Sequence, residues 1–239
     1  MVSGFRFGRL VTAVSILGVT ALPRAGQAQT ATGSYPSMAP IERYRMTADA
    51  EIALAKSAAP AAISGDAEVL ILGAKAYETA VKGRSGFVCI VERAWANNFH
   101  DAGFWNPKLR GPICFNPAAA RSVLPTYLSR TEWALSGLSK AEIEKRLRAE
   151  LAASGNKAPE VGAMCYMLSK GGYLGDQVGG PWHPHLMFFM PRTPSVEWGA
   201  DLAQSPVFVV DSGDPEPFVT IAVPVRRWSD GTPDMPSRR

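Results

Sequence analysis

Hydrophobic and polar positions divide the chain into strand-like ends and a helical middle. Short apolar segments bounded by Gly, Pro and Asn predict strands at 67–73 and 86–95, and again between 162 and 225. Asn116-Pro117, and Ser139 with Glu142, are signals for the start of a helix. This order of elements predicts a single α+β domain, with an antiparallel sheet and two to three helices.

Within the first strand-rich region, the glycines of Lys82-Gly-Arg-Ser-Gly86 suit a tight reversal. The segments on either side of it, 77–83 and 86–95, are therefore predicted to pair as a hairpin.

Two charged residues end the apolar segment GFVCIVER. Alternation puts Glu92 on the face of Val88 and Ile90, and turns Arg93 to the opposite face. A carboxylate in such apolar surroundings can have a raised pKa and act as a catalytic general base. Pairing with a nearby arginine, Arg110 for example, is the simpler interpretation.

Two of the three histidines stand at the start of a later strand, in GGPWHPHLMFFMP. Alternation puts His183 and His185 on one face, which is how several β-sheet metal sites begin. Together with His100 they are candidate ligands for zinc or iron. One of them is alternatively a catalytic acid or base beside Glu92. The simplest interpretation is that both histidines hydrogen-bond to the backbone at the strand entrance.

A long loop rich in Asn, Asp, Gly and Pro runs from residue 96 to 117. It combines aromatic side chains with polar ones, as small-ligand pockets do. The candidate ligand-binding residues are Phe104, Trp105, Arg110, His100 and Asp101. A loop held in place by its own aromatic residues is an equally good interpretation.

The first 28 residues have the pattern of a cleavable secretory signal peptide. Arg6 and Arg9 precede an apolar stretch at 10–22, and Gly26-Gln27-Ala28 provides small residues for cleavage. The stretch is too short to span a membrane, and no later segment is apolar for long enough. We therefore expect Sec-type export to the periplasm or the medium. The predicted organisation is a signal peptide at 1–28, a loose arm at 29–44, one domain at 45–228 and a polar tail at 229–239.

Removal of the signal peptide changes the charge of the chain. The full sequence has 25 basic and 21 acidic residues, a formal net charge of +4. The signal peptide contains three arginines and no acid, so the mature chain has 22 basic and 21 acidic residues. Such a balance gives no electrostatic basis for binding nucleic acid, and that class of partner is excluded.

Three cysteines in an exported chain predict one disulfide and one free thiol. A bond between Cys89 and Cys114 closes the shortest of the three loops and is favoured over either pairing with Cys165. Cys165 lies in the apolar segment VGAMCYML and is expected to be a buried, inert side chain.

Three segments, VKGRSGFVCIVERAW, FWNPKLRGPICFNP and PWHPHLMFF, resemble a group of exported bacterial proteins of uncharacterised activity. The resemblance runs from about Tyr44 to Trp228 and implies a single exported domain, without an activity or a catalytic residue.

The function predicted from the sequence is binding of a small molecule or an envelope component, without catalysis, by an exported soluble protein. The alternative is a histidine-based hydrolase, with or without a metal, that uses His183, His185 and Glu92. The sequence indicates no particular cofactor.

Overall fold

The structure, a computed structural model, describes residues 1, 35–175, 183–200, 202–210 and 215–234. From Tyr35 onward the described residues belong to one compact unit. The predicted signal peptide lies outside the described residues, apart from Met1.

Five α-helices and eight strands occur in the described residues. The helices are α1 (Ala48–Lys56), α2 (Ala61–Ser64), α3 (Pro117–Ser122), α4 (Leu124–Leu135) and α5 (Lys140–Ala153). The strands are β1 (Glu68–Leu72), β2 (Tyr77–Val81), β3 (Val88–Glu92), β4 (Gly111–Phe115), β5 (Met164–Met167), β6 (His185–Pro191), β7 (Phe208–Val209) and β8 (Phe218–Pro224).

All eight strands form one sheet in the order β2-β1-β3-β4-β5-β6-β8-β7. Neighbouring strands are antiparallel except β1 and β3, which run parallel. The predicted α+β class is confirmed. The sheet is mixed rather than purely antiparallel, and the described residues contain more helices than the two to three expected.

The predicted hairpin between β2 and β3 is wrong. Strand β2 pairs with β1 instead, through a reversal in which Gly73 N–H donates to the carbonyl of Ala76 over 2.8 Å. The chain then returns to the start of β1 and lays β3 beside it in parallel. Gly83 allows the chain to pass close to β1 on this return, because a Cβ at position 83 would lie 2.1 Å from the backbone nitrogen of Glu68.

Helices α3 and α5 begin where the sequence predicts. The Asn116 side chain accepts a hydrogen bond from the backbone of Ala119 at the start of α3, and Pro117 follows it. A break at Val123 separates α3 from α4, whose first turn contains Pro125. Ser139 and Glu142 form a complete capping box at the start of α5.

Helices cover both faces of the sheet. On what we term the α4 face, β3 to β6 and β8 pack against α3 and α4 around Ile90, Phe115 and Phe189. On the opposite, α1 face, the sheet packs beneath α1 around Val69 and Val91. Alternation along each strand assigns its side chains to these two cores.

The predicted disulfide is confirmed. Cys89 and Cys114 face each other across β3 and β4 and are joined by an S–S bond on the α1 face. Cys165 is buried and unpaired, as expected. A disulfide is compatible with export to an oxidising compartment.

The described parts of the predicted arm and tail both contact the domain. Of the predicted loose arm, residues 35–44 are described, and their apolar side chains pack against an aromatic core cluster. The buried hydroxyl of Tyr44 also donates a hydrogen bond to the Trp105 carbonyl over 2.8 Å. Of the predicted polar tail, residues 229–234 are described, and Asp234 N–H donates to the carbonyl of Arg226. None of the described helices has the length and apolar character needed to cross a membrane.

Candidate functional site

A pocket of about 340 Å³ opens on the α4 face, between helix α4 and strands β5, β6 and β8. We term it the Glu92 pocket. Its apolar wall includes Met167, Leu174, Met187 and Phe218. This combination of an apolar wall with several polar groups is typical of small-ligand sites.

Glu92 lines this pocket. It ends β3 opposite Gly111 of β4, and its side chain lies across that glycine: a Cβ on Gly111 would be 2.3 Å from Glu92 Oε1. Only 7% of Glu92 is exposed, and its carboxyl group makes no hydrogen bond to a described residue. Burial raises the pKa of Glu92 to about 8, against the opposing effect of Arg130, so the carboxyl is mainly protonated at neutral pH.

Arg130 provides a fixed positive charge on the pocket wall. It extends from α4, is 3% exposed, and its Nη1 lies 3.2 Å from Oε1 of Glu216. Its Nη2 donates to the carbonyl of Asn97, and the guanidinium lies 4.3 Å from the ring centre of Phe99. The buried Nε makes no hydrogen bond within the described part of the chain.

His185 lines the same pocket from the start of β6. Its Nδ1 lies 2.8 Å from the carbonyl of His183, and since a carbonyl only accepts, Nδ1 must be the protonated nitrogen. Burial lowers the pKa of His185, in spite of the opposing effect of that hydrogen bond. In the resulting neutral ring, Nε2 is the basic nitrogen.

The other two histidines lie elsewhere. His183 precedes β6, and its Nδ1 lies 2.7 Å from Asp234 Oδ2 at the exposed edge of the domain. His100 is exposed and does not line the Glu92 pocket. No group of three or more His, Cys, Asp or Glu residues is placed to hold a metal ion in the described ranges. The structure thus does not bring His100, His183 and His185 together as metal ligands.

The aromatic residues of the long loop form core rather than a free-standing ligand wall. Phe104 and Trp105 are 1% and 5% exposed and contact each other edge to face, with ring centres 4.8 Å apart. Their edges, with Asp101, reach a second groove of about 1050 Å³ beside the start of α5. Asp101 also lines the Glu92 pocket, but its carboxylate accepts hydrogen bonds from Gly103 N–H and the side chain of Asn97.

Arg110 holds the loop closed and does not pair with Glu92 as the sequence suggested. Its Nη1 donates to the carbonyls of Pro107 and Leu109, and its Nη2 donates to that of Arg43. Burial, assisted by the charge of Arg93, lowers the pKa of Arg110 to about 10. These contacts fix the position of the Arg110 guanidinium within the loop.

Arg130, Glu216 and Tyr127 all line the Glu92 pocket, and the analysis of the sequence missed them. Arg130 could have been identified as unusual, because it is a charged residue three positions after Tyr127, on the buried side of an amphipathic helix. Glu216 could not have been identified, since it lies in a polar connection that resembles any surface loop.

Comparison of the chain with protein-family models, with curated proteins and with solved structures finds no match. The Glu92 pocket itself is therefore the basis for a functional proposal.

Proposed function

We propose that this protein is exported and binds a small organic ligand in the Glu92 pocket without transforming it. The single observation behind this proposal is a carboxyl group that is buried, faces a pocket and has no hydrogen-bond partner in the described chain. The volume of the pocket, about 340 Å³, suits a ligand smaller than a typical drug molecule.

The accessibility of this carboxyl group supports a binding role. Its oxygens are not among the fully buried atoms that lack a hydrogen bond in the described chain, so they are open to the pocket, where a donor can reach them. No packing requirement accounts for an acid at position 92, where Gln or Leu would fill a similar volume. A ligand in the pocket can donate a hydrogen bond to it.

Export is supported by two features. The first 28 residues have the pattern of a signal peptide, and the disulfide between Cys89 and Cys114 needs an oxidising compartment to persist. Export accords with a protein that meets its ligand in the periplasm or the medium.

A ligand screen with a blocked-pocket variant tests the binding role. A library of small organic molecules is added to the purified protein and unfolding is followed by heating. A ligand at 100 times its Kd is expected to stabilise the protein by about 2.7 kcal/mol. Thr220→Trp fills the pocket from β8 and should abolish this gain, whereas Thr79→Trp on the exposed strand β2 should keep it.

The proposal fails if no compound stabilises the protein, or if the compounds that do so stabilise Thr220→Trp equally. In the second case the ligand binds elsewhere, and the groove beside Phe104 becomes the place to examine.

A hydrolase remains the second candidate, because Glu92 and His185 line the same pocket. A protonated Glu92 is a suitable general acid, and neutral His185 a suitable general base. Turnover of chromogenic esters, amides or glycosides should then fall about 100-fold or more in both Glu92→Gln and His185→Ala. The rate should rise as His185 loses its proton and decline above about pH 8 as Glu92 ionises. The His183→Ala variant is the control, and absence of turnover contradicts this candidate.

A further inference from the structure

We infer that the ligand of the Glu92 pocket carries a protonated amine, which pairs with Glu92 while an apolar group packs against Met187 and Phe218. This inference rests on the proposed function and specifies the class of ligand.

The charges of the pocket favour a cation. Three carboxyl groups and one guanidinium line it in the described chain: Glu92, Asp101, Glu216 and Arg130. Glu216 already pairs with Arg130, and Asp101 accepts hydrogen bonds from Asn97 and Gly103. Of the three, Glu92 makes neither an ion pair nor a hydrogen bond with a described residue, so it is free to ionise beside a bound cation.

An anionic ligand does not match this arrangement. Both Nη atoms of Arg130 are engaged, one with Glu216 and the other with the Asn97 carbonyl. An anion would therefore lie beside the Glu216 carboxylate, and the Nε of Arg130, which makes no hydrogen bond to a described residue, is itself buried. Above the pKa of Glu92, about 8, a second carboxylate would face the anion. Repulsion between like charges at short range and low dielectric opposes such binding.

An uncharged ligand matches less well than an amine. It would meet Glu92 as a single hydrogen-bond donor and would leave the acidic excess of the pocket uncompensated. A primary ammonium offers three donors and a full positive charge, and its proton is as firmly held as that of lysine, with a pKa of about 10.4.

Among the titratable groups around the pocket, Glu92 is the one expected to lose a proton when a cation binds. Burial raises the pKa of Tyr127 on α4, Cys165 on β5 and Tyr77 on β2, so all three stay uncharged near neutral pH. Burial lowers the pKa of His185 on β6, so this ring is uncharged near neutral pH as well. Binding of an ammonium should therefore release the proton of Glu92.

Three probes of similar size but different charge test the inference: 2-phenylethylamine, 2-phenylethanol and phenylacetate. Their affinities are measured by isothermal titration calorimetry at pH 6, 7 and 8, in two buffers of different protonation enthalpy. The amine should bind about tenfold or more tightly than the alcohol at pH 8, and phenylacetate should bind most weakly. Amine affinity should rise by up to about tenfold per pH unit between pH 6 and 8, with release of one proton.

Glu92→Gln separates the charge from the shape of the pocket. We expect it to weaken amine binding about tenfold or more and to remove its pH dependence, while 2-phenylethanol binds within about twofold of its original affinity. Glu132→Gln, an exposed position on the same helix as Arg130, is the matched control and should leave all three affinities unchanged.

The inference is overturned if the alcohol binds as tightly as the amine, or if Glu92→Gln keeps the preference for the amine. It is also overturned if the compounds found in the general screen bind this pocket but contain no amine, in which case the proposed function stands. If neither the probes nor the screened compounds bind, both are wrong.

Discussion

Glu92 and Arg93 are neighbours in the chain but lie on opposite faces of the sheet, in opposite chemical situations. On the α1 face, Arg93 is fully buried and its Nη2 lies 2.8 Å from Oε1 of Glu51. The same Arg93 side chain donates to the carbonyls of Tyr44 and Val91. On the α4 face, Glu92 is almost as deeply buried but makes no hydrogen bond to a described residue.

The difference distinguishes a structural charge from a functional one. A buried ion pair whose hydrogen bonds are satisfied holds elements together, and here it joins α1 to the end of β3. A buried acid without a partner in a pocket has a strongly perturbed pKa, which is a mark of functional sites. Strand β3 thus ends in one structural charge and one candidate functional group.

The largest expected effect comes from breaking the pair on the α1 face. Glu51→Ala leaves the guanidinium of Arg93 buried without a countercharge, and the backbone N–H of Leu72 loses its acceptor. We expect the free energy of unfolding to fall by about 3–5 kcal/mol, measured by urea denaturation. Glu132→Ala, at an exposed site, should change it by about 0.5 kcal/mol or less. A small loss in Glu51→Ala would show that the two faces do not differ in this way.

Removing the acid on the α4 face should raise the free energy of unfolding instead of lowering it, by an amount that depends on pH. The pKa of Glu92 is about 8 in the folded protein and 4.5 ordinarily. Between these values the unfolded chain has lost a proton that the folded protein retains, so raising the pH favours unfolding.

Glu92→Gln removes this penalty, so its stability relative to the original protein should grow as pH rises. Between pH 5 and 7 the gain should reach about 2.7 kcal/mol, at about 1.4 kcal/mol per pH unit. Urea denaturation of both proteins at several pH values measures it. A constant difference over that range would mean that Glu92 is ionised in the folded protein, and the contrast between the faces would disappear.

Local features of the two faces were predictable from the sequence, and their partners were not. Alternation along β3 correctly puts Glu92 on the face of Ile90 and Arg93 on that of Val91, because the period of a strand depends only on its own backbone. The capping box of α5 and the Asn116 cap of α3 are local in the same sense. The Cys89–Cys114 bond was favoured only because it closes the shortest loop.

Long-range contacts account for what the sequence did not reveal. Arg93 pairs with Glu51, which lies 42 positions earlier in the chain, and Arg130 pairs with Glu216, which lies 86 positions later. The parallel pairing of β1 with β3 is likewise decided by how the chain returns after β2. The aromatic residues of the long loop suggested a ligand wall, yet Phe104 is core, since composition does not distinguish a buried ring from one that lines a pocket.

The smallest expected effect concerns the histidine outside the pocket. His183 is bonded to Asp234 at an exposed edge, with 48% of its side chain accessible, whereas His185 lines the Glu92 pocket. Exposed ion pairs stabilise little, so His183→Ala should lower the free energy of unfolding by about 0.5 kcal/mol or less. It should also leave ligand affinity unchanged, while His185→Ala alters affinity, as measured with the same probes by calorimetry. If the two variants behave alike, the histidine pair acts as a unit after all, and the functional part of the α4 face extends beyond the pocket to the edge of β6.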